Sequence, residues 1–482
     1  MGVKRRIIKN IVAVQISETV TKVLNFLFGI FVARMLPLEV FGQWLLVFVF
    51  FRLFALFTNI GIQDVATRDI PRNPEFAGKY LIHLFFIKGA LAVILSIVLI
   101  FTIWLLKYPP KTTLLLYFAV PILIISTLNL PLVITLGGLE RMEITSAFGL
   151  GSTLLYVSLG VICLWRGYGI IALLWVGIIC EFISFVLKAG VVQKYFFKIR
   201  LEFDISFCKY LLKQGWYFGL ANLLGFLLYK LNFLFLSKLK GESAVGIYGS
   251  AYRLIEPALF SVRGVRTAIR PTLSGLFVSS PDKAKAIHKR LMNLVLTIIP
   301  PLLFLITIFS EELVLLIYGE KFLPAKDVVT ILTWTVGALM FTMPMRVILS
   351  ISSEFPKFVF FRVVTTILNI ILNIILIPRY SYIGAAIVTL ICVVLELPVC
   401  IFLFKRVFKG TQVIRVIAKG SLGVIGMIGI YMLTNKLNIV INAGLPVIGY
   451  LLILRSLGIF KIENIKEIFK KKGISNEEVD TE

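Results

Sequence analysis

Long apolar stretches without a charged residue alternate with short polar connectors along the whole chain. A helix needs about 20 such residues to cross the hydrocarbon of a bilayer. Strands of about ten residues with alternating polar and apolar positions, the pattern of a membrane barrel, are absent. The pattern therefore predicts an all-α integral membrane protein. The clearest uncharged stretches are residues 89–106, 112–139, 144–165, 291–310, 328–345 and 437–454.

Charged residues and turn residues divide the chain into fourteen predicted transmembrane helices. Lys and Arg concentrate in the even-numbered connectors and at both ends of the chain, beginning with Lys4, Arg5 and Arg6. Because positive residues stay on the cytoplasmic side, we expect a protein of the cytoplasmic (plasma) membrane with both termini in the cytoplasm. The predicted helices cover residues 8–33, 40–60, 80–106, 112–137, 143–165, 168–190, 209–236, 244–271, 288–310, 326–350, 357–377, 383–405, 413–433 and 439–457.

An internal repeat relates the exits of the first and seventh predicted helices. Matching residues stand at matching spacings, 204 positions apart: Arg34, Pro37 and Gly42 in one segment, and Lys238, Gly241 and Gly246 in the other. Because six helices are an even number, both halves enter the membrane in the same sense, as in many transporters. We therefore predict two pseudo-symmetric lobes of six helices and two further helices. The predicted parts are an N-terminal lobe (1–200), a C-terminal lobe (201–410), helices 13 and 14 (411–458) and a cytoplasmic amphipathic tail (459–482).

The charge balance is strongly positive, with 50 Lys and Arg against 25 Asp and Glu. In a soluble chain this would suggest nucleic acid, but here the charges lie in connectors, so we expect membrane lipids and no nucleic acid as partners. Five scattered Cys and two His predict neither a disulfide framework nor a metal site. No phosphate-binding GxxxxGK[ST] loop is present. We expect a transporter rather than an enzyme, without a cofactor, driven by a source such as a Na⁺ or H⁺ gradient.

Three predicted helices carry charged or polar residues in one stripe each, although such residues are costly at membrane depth. At 100° per residue, the stripe of the eighth helix fills about 140° and that of the first helix about 80°. In one interpretation these charges pair locally, Glu18 with Lys22 and Glu256 with Arg253. In the other, surplus arginines line a cavity for a polyanion, because guanidinium groups bind phosphate oxygens in pairs. The stripes are Gln15, Glu18, Lys22, Asn25 and Gly29 (first helix), Arg52, Asn59 and Gln63 (second helix), and Arg253, Glu256, Arg263, Arg266 and Arg270 (eighth helix).

Five segments resemble the polysaccharide-transporter branch of the multidrug/oligosaccharidyl-lipid/polysaccharide (MOP) exporter superfamily, which contains the O-antigen-type flippases. They are ARMLPLEVFGQW (33–44), GIQDVATRDIPR (61–72), GESAVGIYGSAYRL (241–254), YGEKFLPA (318–325) and ILNIILNIILIPRYSYIGAAIVTLI (367–391). Asn59 and Ile60 stand where many relatives have Asp-Leu, and Pro37 and Ser381 stand where glycine is common.

The resemblance implies two six-helix lobes around a central cleft. It also implies transport of a polyprenyl- or dolichyl-(pyro)phosphate-linked oligosaccharide by alternating access, alongside glycosyltransferases or a polymerase of the same pathway. The three stripes supply candidate residues, and so does a polar face of the seventh helix that includes Tyr217 and Asn232. For the phosphate we predict Arg52, Arg253, Arg263 and Arg266; for sugar hydroxyls, Asn25, Asn222, Asn232 and Tyr217; and for ion coupling, Glu18, Lys22 and Glu256.

Other functions remain open at this point. A cation-coupled multidrug exporter of the same superfamily predicts stripes dominated by carboxylates, whereas arginines dominate here. A flippase for lipid II is a close relative of the main hypothesis. A membrane glycan polymerase or ligase would need carboxylates at an aqueous face. Glu18 either couples transport to an ion or only neutralises Lys22.

Overall fold

The computed structural model describes residues 3–58, 62–195, 204–408, 413–434 and 438–459. These residues form sixteen α-helices and two short 3-10 helices, Pro74–Phe76 and Glu320–Phe322, and they contain no strand. The α-helices are α1 (Val3–Met35), α2 (Leu38–Thr58), α3 (Ile62–Asp69), α4 (Ala77–Leu106), α5 (Pro110–Tyr117), α6 (Ala119–Gly138), α7 (Met142–Trp165), α8 (Gly169–Tyr195), α9 (Ile205–Lys240), α10 (Glu242–Ser279), α11 (Pro281–Ile308), α12 (Ser310–Tyr318), α13 (Ala325–Leu349), α14 (Phe355–Val407), α15 (Val413–Thr434) and α16 (Ile439–Ser456).

The chain is an all-α, multi-pass membrane protein. Each predicted helix falls on a helix of the structure; the fourth is divided at Phe118, and the eleventh and twelfth are joined in α14. By length and hydropathy, ten stretches of the described residues qualify as membrane spans. The long α10 is not among the ten, and it carries six charged residues. The number of fourteen crossings therefore stays a prediction.

A sharp kink at Ser381 divides α14 where the sequence predicts a break between two helices. Ser381 has φ 51° and ψ −132°, a backbone conformation that only glycine adopts without strain. The chain approaches itself closely on the far side of the kink, where a Cβ on Gly384 would lie 2.6 Å from the carbonyl oxygen of Leu376. Ser381 therefore occupies a position whose geometry favours glycine.

Contacts divide the chain into two units. The first contains residues 1–253, 314–325 and 366–388. One of its cores is built on α3, α4 and α6, with the first turns of α9; its members are Ile62, Val65, Ala66, Ile70, Ala77, Tyr80, Leu84, Ile87, Ile134 and Leu211.

The second unit contains residues 254–313, 326–365 and 389–482. In it, α15 and α16 pack against each other and against α11. The Tyr450 hydroxyl donates to the carbonyl oxygen of Leu296, and the Lys419 ammonium donates to that of Leu457 at 2.7 Å. The predicted lobe boundaries stay a prediction, and the predicted tail lies, from residue 460 onward, outside the described residues.

The two glycines of the internal repeat meet each other in the first unit. A Cβ on Gly42 of α2 would overlap the carbonyl oxygen of Glu242, and a Cβ on Gly246 of α10 would lie 2.6 Å from that of Leu38. The contact is reciprocal, because Leu38 and Glu242 occupy equivalent positions of the repeat. Reciprocal contacts are what a two-fold axis produces. The absence of both side chains lets the first turns of α2 and α10 touch backbone to backbone.

Candidate functional site

Arg253 lies where α10 meets α1 and α2. Its Nη1 donates a hydrogen bond of 3.3 Å to the backbone carbonyl of Asn25 on α1. Its guanidinium lies over the ring of Trp44 on α2, 4.8 Å from the ring centroid. Gly29 lies one helical turn beyond Asn25, and a Cβ there would overlap the guanidinium. Two positions of the polar stripe predicted for the first helix therefore contact Arg253: Asn25 through its backbone carbonyl and Gly29 through its bare backbone.

Arg52 is the second predicted phosphate ligand in this unit. Its side chain is exposed, and within the part of the chain that the structure describes it makes no hydrogen bond or ion pair. Arg52 lies about 21 Å along α2 from Leu38, and Arg253 about 17 Å along α10 from Glu242. Because these helix starts touch, both arginines lie well inside their helices, and at that depth Arg52 needs water or a ligand.

Glu18 and Lys22 form a local ion pair on α1, as one interpretation of the sequence predicts. Their Nζ–Oε2 distance is 3.4 Å, and the side chains are 53% and 46% exposed. Exposed i, i+4 pairs contribute only about 0.3–0.5 kcal/mol to stability. The pair therefore leaves both groups accessible to a ligand or an ion, and their role in coupling stays a prediction.

Two expectations need correction. Asn232 cannot contact sugar from its present position, because it is fully buried and its amide nitrogen donates to the Tyr248 hydroxyl at 3.2 Å and to the Ala385 carbonyl at 3.1 Å. Its amide oxygen accepts from Asn373 at 2.9 Å. The predicted pairing of Glu256 with Arg253 is wrong, since Glu256 makes no ion pair or hydrogen bond in the described structure.

Other predicted residues do not join Arg253 in the described geometry. The side chains of Tyr217, Asn222 and Arg263 lie outside the described residues. Arg266, in the part of α10 that belongs to the second unit, is exposed. The described candidates that the structure brings together are therefore Arg253 and Asn25, and Arg253 also lies against Gly29 and Trp44.

Sequence reasoning missed Trp44 and Tyr156. Trp44 is 3% exposed, and its indole Nε1 adjoins the buried hydroxyl of Tyr156 on α7. Both atoms are buried. Tyr156 packs edge-on against Phe28 with ring centroids 5.1 Å apart. In a chain in which 13% of residues are aromatic, no local signal singles out two of them.

A second charged cluster, also missed, lies inside the second unit. Glu396 of α14 is 0% exposed and pairs with two arginines. Arg346 of α13 contacts its Oε2, and Arg362 of α14 contacts its Oε1 at 3.3 Å. Both guanidinium groups also lie near the ring of Phe358, at 5.7 and 5.9 Å from its centroid. Charged residues within apolar segments were the available signal for this cluster.

Reciprocal caps join α1 to α12 in the first unit. Arg34, in the last turn of α1, donates to the carbonyls of Leu316 and Ile317 in α12, the latter at 2.7 Å. Lys321 donates to the carbonyls of Arg34 and Leu36 at 2.9 and 2.8 Å. Cations are favourable at helix C-termini, where carbonyls lack intrahelical partners. Arg34 therefore caps the end of α12, and Lys321, just beyond the end of α12, caps the end of α1.

A buried polar chain ties α2, α5 and α10 together near the same helix starts. Gln43 donates to the Thr112 hydroxyl at 3.1 Å, and Thr112 donates to Oε1 of Glu242 at 2.8 Å. Together with the close contact at Gly42 and Gly246, these hydrogen bonds hold the first turns of α2 and α10 against each other.

The polysaccharide biosynthesis protein family model matches residues 7–277. The chain belongs to this family. No curated protein matches it significantly. Solved structures with this fold include one titled "Lipid II flippase MurJ, inward closed conformation", with 16% identity, a TM-score of 0.70, and 92% of this chain and 99% of the other covered.

Two further structures share the fold. One is an inward-facing multidrug resistance MATE family transporter of the MOP superfamily, with 16% identity, a TM-score of 0.62, and 84% of this chain and 100% of the other covered. The other is a MOP superfamily transporter from Pyrococcus furiosus, with 16% identity, a TM-score of 0.58, and 84% and 96% covered. The chain shares its fold with these structures. At these identities the structures show the fold alone.

Proposed function

We propose that the protein is a flippase that moves a polyprenyl- or dolichyl-(pyro)phosphate-linked oligosaccharide across the cytoplasmic membrane by alternating access. The family assignment supports a role in polysaccharide assembly, and the fold supports transport. The observation that carries the proposal is the position of Arg253, held deep in the helices against Asn25 and Trp44, in the same unit as the exposed Arg52.

The chemistry of these groups matches an anion. A guanidinium group can only donate hydrogen bonds, and ionised phosphate oxygens only accept them. Two arginines would stabilise the charge of a (pyro)phosphate at membrane depth, while the apolar carrier chain stays in lipid. Asn25 lies beside Arg253 and is the described candidate for a contact with the first sugar.

Orientation and coupling complete the proposal. Both termini lie in the cytoplasm, and the substrate enters from that side, where glycosyltransferases make it; a polymerase or transferase consumes the product on the other side. Glu18, with Lys22, is the candidate for coupling to Na⁺ or H⁺, because the pair is exposed and the Coulomb interaction between its members is weak. The chain acts as a transporter and not as an enzyme.

A cation-coupled multidrug exporter is the second candidate, since MATE transporters share the fold. A cationic drug would meet the guanidinium groups of Arg52 and Arg253, so like charges oppose it. Drug sensitivity on deletion, without a glycan defect, would favour this candidate. A flippase for lipid II remains the nearest variant of the main proposal, and it is distinguished by which lipid-linked precursor accumulates.

The test replaces Arg52 or Arg253 by alanine and scores complementation of a flippase-deficient strain. Loss of a hydrogen bond to a charged group costs about 1.5–3 kcal/mol, so we expect transport to fall roughly 10- to 100-fold and the lipid-linked precursor to accumulate. Arg166→Ala is the matched control, because Arg166 is an exposed arginine of a connector. Full complementation by normally inserted Arg52→Ala and Arg253→Ala variants would reject the site.

A further inference from the structure

Two helices, α1 and α2, shape a receptor for the guanidinium group of Arg253, which extends from α10. We call this receptor the guanidinium slot; it consists of the carbonyl of Asn25, the bare backbone of Gly29 and the indole face of Trp44. We infer that Gly29 and Trp44 are positioning residues that set Arg253 for the phosphate of the substrate. The inference rests on the proposed function and assigns to it two residues that do not themselves carry charge.

Gly29 makes the slot possible. A Cβ at this position would overlap Nη1 and Cζ of Arg253. The atoms in the way are the far end of a flexible side chain, not backbone. An added methyl group would therefore expel the guanidinium while leaving α1 and α10 in place. Glycine is needed here for the close approach of a side chain, since Gly29 lies within the regular helix α1.

Trp44 supplies the wall of the slot. A guanidinium stacked on a tryptophan face is attracted by the negative potential of the ring, and tryptophan is the best residue for this contact. The ring face of Trp44 and the Asn25 carbonyl together hold the guanidinium in place. Lysine carries a compact ammonium instead of a planar guanidinium, so it does not fill the slot in the same way.

The surroundings of the slot indicate the class of ligand. Nε1 of Trp44 and the hydroxyl of Tyr156 adjoin each other and are buried, so they can bond to each other. The Arg253 guanidinium is positively charged and can only donate hydrogen bonds. A ligand that reaches the slot must therefore bring acceptors, which a phosphate or pyrophosphate group does and an ammonium group does not.

The experiment measures the affinity of the purified full-length protein in nanodiscs for inorganic pyrophosphate and, separately, for farnesyl diphosphate. We expect Gly29→Ala and Trp44→Leu to weaken both affinities roughly tenfold, as loss of one charge-assisted or stacking contact does. Gly151→Ala on α7 is the control, because a Cβ there meets nothing within 4 Å. Melting temperatures should be unchanged for Gly29→Ala.

Repeating the Gly29→Ala measurement in an Arg253→Lys protein distinguishes a role of Gly29 in positioning Arg253 from a general structural role. In an Arg253→Lys protein, whose ammonium does not use the slot, Gly29→Ala should have no further effect on either affinity. An equal loss in the wild-type and Arg253→Lys backgrounds would overturn the inference. The inference would also be overturned if Gly29→Ala bound both probes with wild-type affinity while Arg253→Ala bound them weakly. In that case the proposed function would stand.

A different result would reject the proposed function itself. If Arg253→Ala keeps wild-type affinity for both probes and still complements, the phosphate site itself is wrong. A loss with inorganic pyrophosphate but not with farnesyl diphosphate would also overturn the inference, because the slot would then serve a free phosphate and not a lipid-carried one.

Discussion

Replacing Glu396 by glutamine is expected to destabilise the second unit far more than the same change at Glu18. Glu396 is 0% exposed and neutralises Arg346 and Arg362, whose side chains are 14% and 25% exposed. Glutamine keeps the size of the side chain but leaves two neighbouring guanidinium groups without a counter-charge. Breaking a buried ion pair by removing one partner costs about 3–5 kcal/mol.

Glu18→Gln gives the matched control. Its pair with Lys22 is more than a third exposed, so solvent screening limits the loss to about 0.5 kcal/mol or less. A third variant, Arg346→Met with Arg362→Met and Glu396→Leu, removes the whole cluster. Replacing a complete buried ion cluster by apolar residues is often neutral for stability, so this variant should be close to the wild type.

The assay is unfolding of the purified protein in mixed detergent micelles with increasing dodecyl sulfate, followed by tryptophan fluorescence. We expect the midpoint for Glu396→Gln to fall clearly below those of the wild type, Glu18→Gln and the triple variant. Equal midpoints for Glu396→Gln and Glu18→Gln would refute the reasoning, because burial would then not control the strength of the interaction.

Three further predictions follow from the geometry. Gly42→Ala should destabilise the protein by about 1–3 kcal/mol, because its Cβ overlaps the backbone of α10, whereas Gly149→Ala, which meets nothing within 4 Å, should not; detergent melting curves compare them. Ser381→Gly should stabilise by about 1 kcal/mol or more in the same assay, since it relieves a positive φ, and an unchanged melting temperature would contradict the strain. The hydrogen bond from Lys79 holds the pKa of Asp204 below its usual value, so the stabilisation is complete above about pH 4 and is lost as the pH falls through the lowered pKa. Asp204→Asn should therefore flatten the acid limb of stability against pH, and an unchanged limb would contradict the assignment.

The hydrophobic pattern alone determined the fold class and the order of the helices. Apolar segments of membrane length have few alternatives, because every backbone polar group in lipid must be bonded within the segment. The repeat at Gly42 and Gly246 was likewise visible as spacing, and so was the break that the structure places at Ser381.

Only the tertiary structure decided which polar residues are available. Asn232 and Asn25 are the same residue type on predicted polar faces, but one is enclosed by Tyr248, Ala385 and Asn373, and the other is exposed beside Arg253. Trp44 became part of the site because α2 brings its indole against α10. Helical periodicity gives the angle at which a side chain leaves its own helix. What the side chain meets depends on which helix packs against that face, and contacts between residues distant in the chain are set by packing that no single segment encodes.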